Sequence, residues 1–428
     1  MVQVEVIKQV IADQEQELKQ QMATHIIKRE LTIKEDSIGN GVVGIITGIR
    51  RCGKSVLAQM TFSGGTSGYI NFDDVRLSLK AEELNSVLEA MYSLKGHVDK
   101  IVLDEIQNID GWEKFVGSLA SSKKVIVTGS NARLLSKELA TYLVGRHMDF
   151  TLFPFSFREF LDYNSFAIDE STYTTESKAK IMKFLANYLR IGGIPLAGRL
   201  GTAYLANLYS DILERDAIQR YSINSPSEFK HLSNYLIANF SNEVTSNKLK
   251  NIIGVKTPNT ISRWISYLEN AFLIFRIQRF SNKIKESIKA PKKVYVTDTG
   301  IAIAAYPESA NDKGRLMENL VAVELKRRIE YWHRDYRIYY WKNYMHEEVD
   351  FLLRKNNTTK ALIQVSYASS KEDIKERELK SLLKAGKEQH CSNLEVITWD
   401  LTDTQTINGS VIRFIPLWAW LLNHKTVY

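Results

Sequence analysis

Apolar residues in this 428-residue chain follow two rhythms. Short unbroken runs such as GVVGIIT (41–47), KIVL (100–103) and KKVIVTG (123–129) alternate with polar-studded stretches of helical spacing. Runs that are apolar without alternation read as strands buried on both faces. Strands separated by helical stretches predict an α/β fold with a parallel sheet. The first 35 residues, rich in Gln and Glu, predict an amphipathic helix that packs on the next domain or on a neighbour. Residues 166–240 keep helical spacing, broken by IGGIP, and read as a helical lid. SNKLKNIIG (246–254) and TPNTISRWISYLENA (257–271) predict two short helices around a turn. In the second, Ile261, Ile265 and Leu268 share one face and Pro258 stands at the start. FLIFRIQRF (272–280) then predicts a strand, so 241–285 reads as a winged helix. From 286 a further α/β region is expected. It holds the strand KVYV (293–296), the helix GRLMENLVAVELKRR (314–328), and the strands IYYWKN, EVDFLLR and KALIQVSYA. FIPLWAWLLN (414–423) predicts a core-docking helix.

Chemistry enters at GIRRCGKS, residues 48–55. It lies between a predicted strand and a predicted helix, and matches G-x-x-x-x-G-K-[ST] in Gly48, Gly53, Lys54 and Ser55. Glycines let main-chain N–H groups turn inward onto phosphate oxygens, and the following helix adds its positive end. Lys54 is expected on the β- and γ-phosphates and Ser55 on Mg²⁺. The loop from Gly48 to Val56, with Arg50, Arg51 and Cys52, is the predicted nucleotide-binding segment, and ATP with Mg²⁺ the predicted cofactor set. About 50 residues on, VLDEI ends a strand in Asp104 and Glu105. Asp104 is expected to hold Mg²⁺ through water, and Glu105 to orient and polarise the attacking water. Ser130 and Asn131, after the strand KKVIVTG, belong near the γ-phosphate if the strands are neighbours. Arg146 follows a glycine at the end of a helical pattern. It reads either as a cation supplied to a neighbouring subunit's nucleotide or as a surface salt bridge.

GIRRCGKS, YINFDD (69–74), VLDEIQNI, VTGSNARLLS, GRHMDFTLFPFSFREF and RIGGIP together resemble the prokaryotic AAA-type ATPases that carry a DUF4143 C-terminal region. The resemblance spans nearly the whole chain. It implies a P-loop AAA+ core with a parallel sheet (36–165), followed by the lid, the winged helix and a DUF4143 region (286–428). It also implies ATP hydrolysis and homo-oligomeric ring or partial-ring assembly, with a hexamer among the forms. The Arg50–Arg51 pair supports either the loop or a neighbour's nucleotide. Asp73 or Asp74 helps position Mg²⁺ or water, or else caps the turn.

The C-terminal pattern of a helix with Glu318, a strand with Asp350 and a strand with Gln364-x-Ser366 resembles the PD-(D/E)xK nucleases. Two carboxylates there hold Mg²⁺ and a lysine steadies the phosphate. Gln364 stands for the second acid and Ser366 for the lysine, so a nuclease shape that does not cut is expected. Lys371 and Lys326 are candidates for a displaced cation.

The net charge of +8 allows a polyanionic partner. Asn259, Ser262 and Arg263 lie opposite the apolar face of the second winged-helix helix, where phosphates or base edges could meet them. Lys283 and Lys285 lie in the basic run 276–293, which could track a nucleic-acid backbone. The favoured expectation is an oligomeric ATPase that remodels or translocates DNA, duplex or branched, including four-way junctions. The alternatives are an ATP-gated signalling or scaffold switch without DNA, and an active ATP-dependent nuclease. Eight scattered histidines and two cysteines, Cys52 and Cys391, offer no zinc cluster. No 18-residue apolar run predicts a membrane span, and with no secretory signal the cytoplasm is the expected compartment.

Overall fold

The computed structural model describes residues 2–23, 26–62, 66–132, 145–168 and 173–423. It divides into two compact units, one of residues 1–153 with 270–272 and one of 154–269 with 273–428. The helical pattern read just before Arg146 lies outside the described residues.

The first unit rests on five parallel strands: β1 (Val43–Thr47), β2 (Ser67–Asn71), β3 (Lys100–Asp104), β4 (Lys124–Gly129) and β5 (His147–Thr151). Their order is β2-β3-β4-β1-β5. All of β1, and all but the first residue of β3 and β4, are buried, which is why these runs show no alternation. Helices α1 (Val4–Ala23), α2 (Lys54–Thr61), α3 (Leu84–Lys95) and α4 (Glu113–Ala120) complete the unit. Ile7, Val10 and Ile11 of α1 and Val87 and Met91 of α3 share a core with Ile70, Ile101 and Val125 of the sheet. The edge strand β2 is blunted by a side chain. The Gln14 amide donates to the Asn71 carbonyl (3.0 Å) and accepts the Asn71 N–H (2.8 Å), occupying groups a foreign strand would otherwise pair. Helix α1 stops at Ala23, short of the expected 35 residues. Residues 26–34 run as an irregular stretch anchored by buried Ile27, Leu31 and Ile33, three apolar side chains at a spacing that the sequence made look helical.

The second unit holds a nine-stranded mixed sheet. Its strands are β6 (Glu243–Val244), β7 (Ile274–Arg279), β8 (Lys292–Val296), β9 (Tyr336–Lys342), β10 (Glu348–Lys355), β11 (Thr358–Ser366), β12 (Leu394–Thr398), β13 (Asp403–Ile407) and β14 (Ser410–Pro416). Their order is β13-β14-β12-β11-β10-β9-β7-β8-β6. The helices are α5 (Phe157–Tyr163), α6 (Thr175–Ile191), α7 (Ala197–Asp211), α8 (Pro226–Ala238), α9 (Ser246–Ile253), α10 (Pro258–Asn270), α11 (Ile284–Lys289), α12 (Thr299–Ala305), α13 (Lys313–Trp332), α14 (Glu376–Glu388) and α15 (Leu417–Leu422). Helices α9 and α10 followed by the antiparallel pair β7/β8 match the expected helix, turn, helix, strand succession. Residue 286 falls inside α11, and strands from both sides of it share the one sheet. Residues 154–163, grouped by sequence with the first domain, belong to the second unit. Arg327 of α13, 1% exposed, donates to the carbonyls of Pro154 (3.2 Å) and Phe155 (3.4 Å), and a Ser156–Glu159 capping box starts α5. Among the described residues no helix is long and apolar enough to cross a membrane.

The IGGIP break has a physical reason. The Asp298 carboxylate caps α12 through the Ile301 N–H (3.1 Å) and accepts the Gly193 N–H (2.7 Å). It lies so close to Gly192 (φ 72°) that a Cβ there would collide with it. Burial lifts the Asp298 pKa to about 6, although the Gly193, Ile301 and Gly300 N–H groups hold it down. Between pH 3.8 and 6 the folded chain keeps a proton that the unfolded chain has released. Its stabilising contribution is therefore complete below about pH 3.8 and is lost as pH rises through about 6. Asp298→Ala leaves these buried donors unpaired and should cost about 1–3 kcal/mol in denaturant unfolding at neutral pH. Asp298→Asn should flatten the stability slope between pH 4 and 6; an unchanged slope would remove Asp298 as its source.

Candidate functional site

The carboxyl ends of β1, β3 and β4 meet at one edge of the first sheet, with β4 between the other two. The loop after β1 turns sharply, with φ of 151° at Gly48, 66° at Arg51 and 100° at Gly53. A Cβ on Gly48 would run into the Leu152 carbonyl, so only glycine fits there. Lys54 begins α2 and is 5% exposed. Its ammonium donates to the carbonyls of Gly48 (3.2 Å) and Ile49 (3.3 Å) and lies 3.7 Å from Glu105.

Asp104, 1% exposed, is the centre of the site. Its carboxylate accepts the hydroxyls of Tyr69 (2.7 Å), Thr128 and Ser55. Burial and then the neighbouring Glu105 charge raise its pKa, while the three hydroxyls pull it back. The same burial and the Asp104 charge push the Tyr69 phenol upward, fixing it as a donor. Glu105 follows with φ 51°, an unusual conformation for a glutamate. Its N–H donates to the Thr128 hydroxyl (3.2 Å), and its carboxylate accepts the Ser130 N–H (3.3 Å). Lys54, Ser55, Asp104, Glu105 and Ser130 are thus brought together, and Asn131 lies buried directly beyond Ser130.

The other candidates separate. Arg50 lies 3.5 Å from Asp73, tying the loop to the segment after β2, whereas Arg51 is exposed. Asp74 is committed to Arg76, whose side chain and N–H hold its pKa to about 2, so it caps the turn. Cys52 is buried, and that burial raises its thiol pKa. Val56 is half-buried on the first turn of α2. Arg146 is exposed at the amino end of β5, whereas the loop lies at the carboxyl end of β1, its parallel neighbour. About five residues of strand, roughly 16 Å, separate the two edges, so Arg146 lies away from the loop of its own chain.

Three contributors escaped sequence reasoning. Thr128 and Tyr69 sit inside recognised runs, VTGSN and YINFDD, but nothing in their spacing marks them as Asp104 donors. Arg29, 8% exposed, donates to the carbonyls of Cys52 (2.8 Å) and Phe153 (2.6 Å) and so clamps the loop from outside it. No motif surrounds it.

In the second unit, Glu318, Asp350 and Gln364 do converge. The cation among them is Lys293, not Lys371 or Lys326. Lys371 pairs with Asp403 and Lys326 with Glu330. Lys293, counted within the basic run, is 3% exposed and cannot track a nucleic acid. Asn259, Ser262, Arg263, Lys283 and Lys285 are all exposed. Among the described residues no three His, Cys, Asp or Glu side chains are disposed to hold a metal.

Residues 40–161 match a family model described as an AAA domain. Residues 182–312 and 313–420 match two domains of unknown function, DUF8612 and DUF4143. Over 421 residues the chain is 35% identical to the uncharacterized protein MJ1544 of Methanocaldococcus jannaschii, covering 93% of this chain and 92% of that one. It is 28% identical over 334 residues to an uncharacterized protein of Haemophilus influenzae, covering 73% and 80%. Among solved structures, the RuvB Holliday junction branch migration motor of Thermotoga maritima overlaps 55% of this chain and 82% of its own, at 15% identity and a TM-score of 0.28.

Arg29→Met should weaken triphosphate binding roughly 10- to 150-fold, the scale of one lost charge-assisted hydrogen bond of about 1.5–3 kcal/mol. A fluorescent ATP analogue titration measures it. Parent-like affinity would make the clamp irrelevant to the site.

Proposed function

This chain belongs to the family of the uncharacterized Methanocaldococcus jannaschii protein MJ1544, and from its AAA domain we propose an oligomeric ATPase that couples ATP hydrolysis to engaging and remodelling DNA. The carrying observation is the cluster of Lys54, Ser55, Asp104 and Glu105 at one sheet edge. The donor set suits magnesium nucleotide: a hard cation takes oxygen ligands and keeps several waters. Ser55 and Asp104, already sharing a hydrogen bond, are the residues to hold it. Bound Mg²⁺ supplies charge neutralisation between phosphates. Lys54 exchanges its carbonyl contacts for phosphate oxygens. Glu105, positioned by Thr128 and Ser130, orients and polarises the attacking water. Asn131 senses the γ-phosphate. Arg146 completes the site of an adjacent copy, which makes turnover depend on assembly.

The DNA reading is supported by the exposed face Asn259, Ser262 and Arg263 of α10, by Lys283, Lys285 and Lys289 between β7 and β8, and by the net charge. These elements form the winged-helix module of the proposal, and its pairing with a ring motor suits duplex or branched DNA. The C-terminal region serves as a nuclease-shaped module that does not cut. A protein-gated switch is the second reading. It is favoured by Ile284 and Ile288, 77% and 63% exposed beside those lysines, a surface suited to an apolar partner.

Glu105→Gln should still bind ATP but lose at least about 100-fold in turnover. DNA should stimulate the parent enzyme, and Lys283→Ala with Lys285→Ala should reduce the salt slope of DNA binding by about 2. Indifference of turnover to duplex, single-stranded and junction DNA favours the switch. Parent-like turnover of Glu105→Gln removes Glu105 from the chemistry.

A further inference from the structure

Four elements of the second unit aim polar side chains at one buried point: β8, β10, β11 and α13. Lys293 on β8 lies 3.0 Å from Glu318 of α13, 3.0 Å from Asp350 and 2.6 Å from Glu348, both on β10. An ammonium has three donors and no acceptor, so three carboxylates use it completely. The remaining groups are arranged around this contact. Tyr295 donates to the same Glu318 oxygen (2.8 Å). The second Asp350 oxygen accepts the Gln364 amide (2.7 Å) and the Val365 N–H (3.0 Å). The second Glu348 oxygen meets Lys342 (3.0 Å), which also holds Glu243 (3.0 Å). Among the groups on β11, the Gln364 Oε1 is buried and accepts no hydrogen bond, on a residue only 7% exposed, and the Glu378 Oε2 nearby is likewise without a partner.

A carboxylate group of this density is costly in a buried setting unless a cation compensates it. A divalent metal is the usual compensating ion, taking carboxylate and amide oxygens together with water. Here the chain carries its own cation on a strand. We propose that Lys293 is a tethered replacement for a divalent metal: it occupies the point between Glu318 and Asp350 and offsets part of their charge, so the C-terminal unit neither needs nor binds Mg²⁺ or Mn²⁺, and Lys293→Met converts the same place into a divalent-cation site built from Glu318, Asp350 and the orphaned Gln364 carbonyl. This explains how a nuclease-shaped arrangement persists with an amide in place of an acid. It depends on the nuclease-shaped reading only for the comparison, and not on ATP hydrolysis.

The test is Mn²⁺ binding by the full-length chain without nucleotide, followed by electron paramagnetic resonance of free Mn²⁺. In the parent, Asp350→Asn should leave Mn²⁺ binding unchanged. Lys293→Met should gain one site, at least tenfold tighter than any in the parent, which disappears in Lys293→Met/Asp350→Asn. Mn²⁺ should also raise the unfolding midpoint of Lys293→Met, and Lys293→Arg, which keeps the charge, should stay folded without it. A parent Mn²⁺ site abolished by Asp350→Asn overturns the proposal. So does a folded Lys293→Met that gains no site, or one that stays unfolded in millimolar Mn²⁺. Metal binding is read without DNA, so its outcome is separate from whether the unit cuts strands.

Discussion

One buried carboxylate organises the first unit. Asp104 has almost no solvent, a glutamate beside it, and three hydroxyls from three different elements turned toward it. Tyr69 comes from β2, Thr128 from β4 and Ser55 from α2. An unpaired charge in that position would be expelled or protonated. The hydroxyls pair it, and in doing so they fix the spacing of three strands and a helix. Thr128 also fixes the neighbour, because its hydroxyl takes the Glu105 N–H and so helps hold that glutamate at its unusual φ. The two carboxylates proposed to serve magnesium and water are therefore both held by one threonine.

The second unit meets a related electrostatic problem with a different device. Its carboxylates are served mainly by an ammonium, with the Tyr295 hydroxyl beside it on Glu318, and Lys293 is buried as Lys54 is. Glu324 with Arg327 and Arg328 repeats the theme in α13, a helix with most of its middle turns buried, which bonds residues 154–155 within the second unit. Ion pairs of this kind are strict about partners, since removing one member leaves a buried charge without compensation.

Much of the cluster at the carboxyl edge of the first sheet was legible because phosphate binding demands fixed spacing: a glycine, a lysine and a serine in succession, and an acidic pair ending a strand. The parallel sheet was legible because strands buried on both faces lose polar alternation. What stayed hidden depends on contacts distant in sequence. Arg29 touches Cys52 and Phe153, 23 and 124 positions away, and no local pattern reports that. Lys293 looked like one more charge in a basic run. Its alternation with Tyr295 on an inward-facing strand was the available signal, but the surrounding lysines masked it. The expected boundary near 286 failed to mark a break in the sheet because strand pairing between β7 and β9 is non-local.

Capture of a triphosphate by main-chain amides and the single ammonium of Lys54 is the claim on which the rest stands. Calorimetric titration of Lys54→Ala with ATP and Mg²⁺ tests it most directly. Affinity should fall at least about 100-fold, the loss of about 2.7 kcal/mol, with the fold intact by circular dichroism. A folded Lys54→Ala that binds magnesium ATP as tightly as the parent would contradict it.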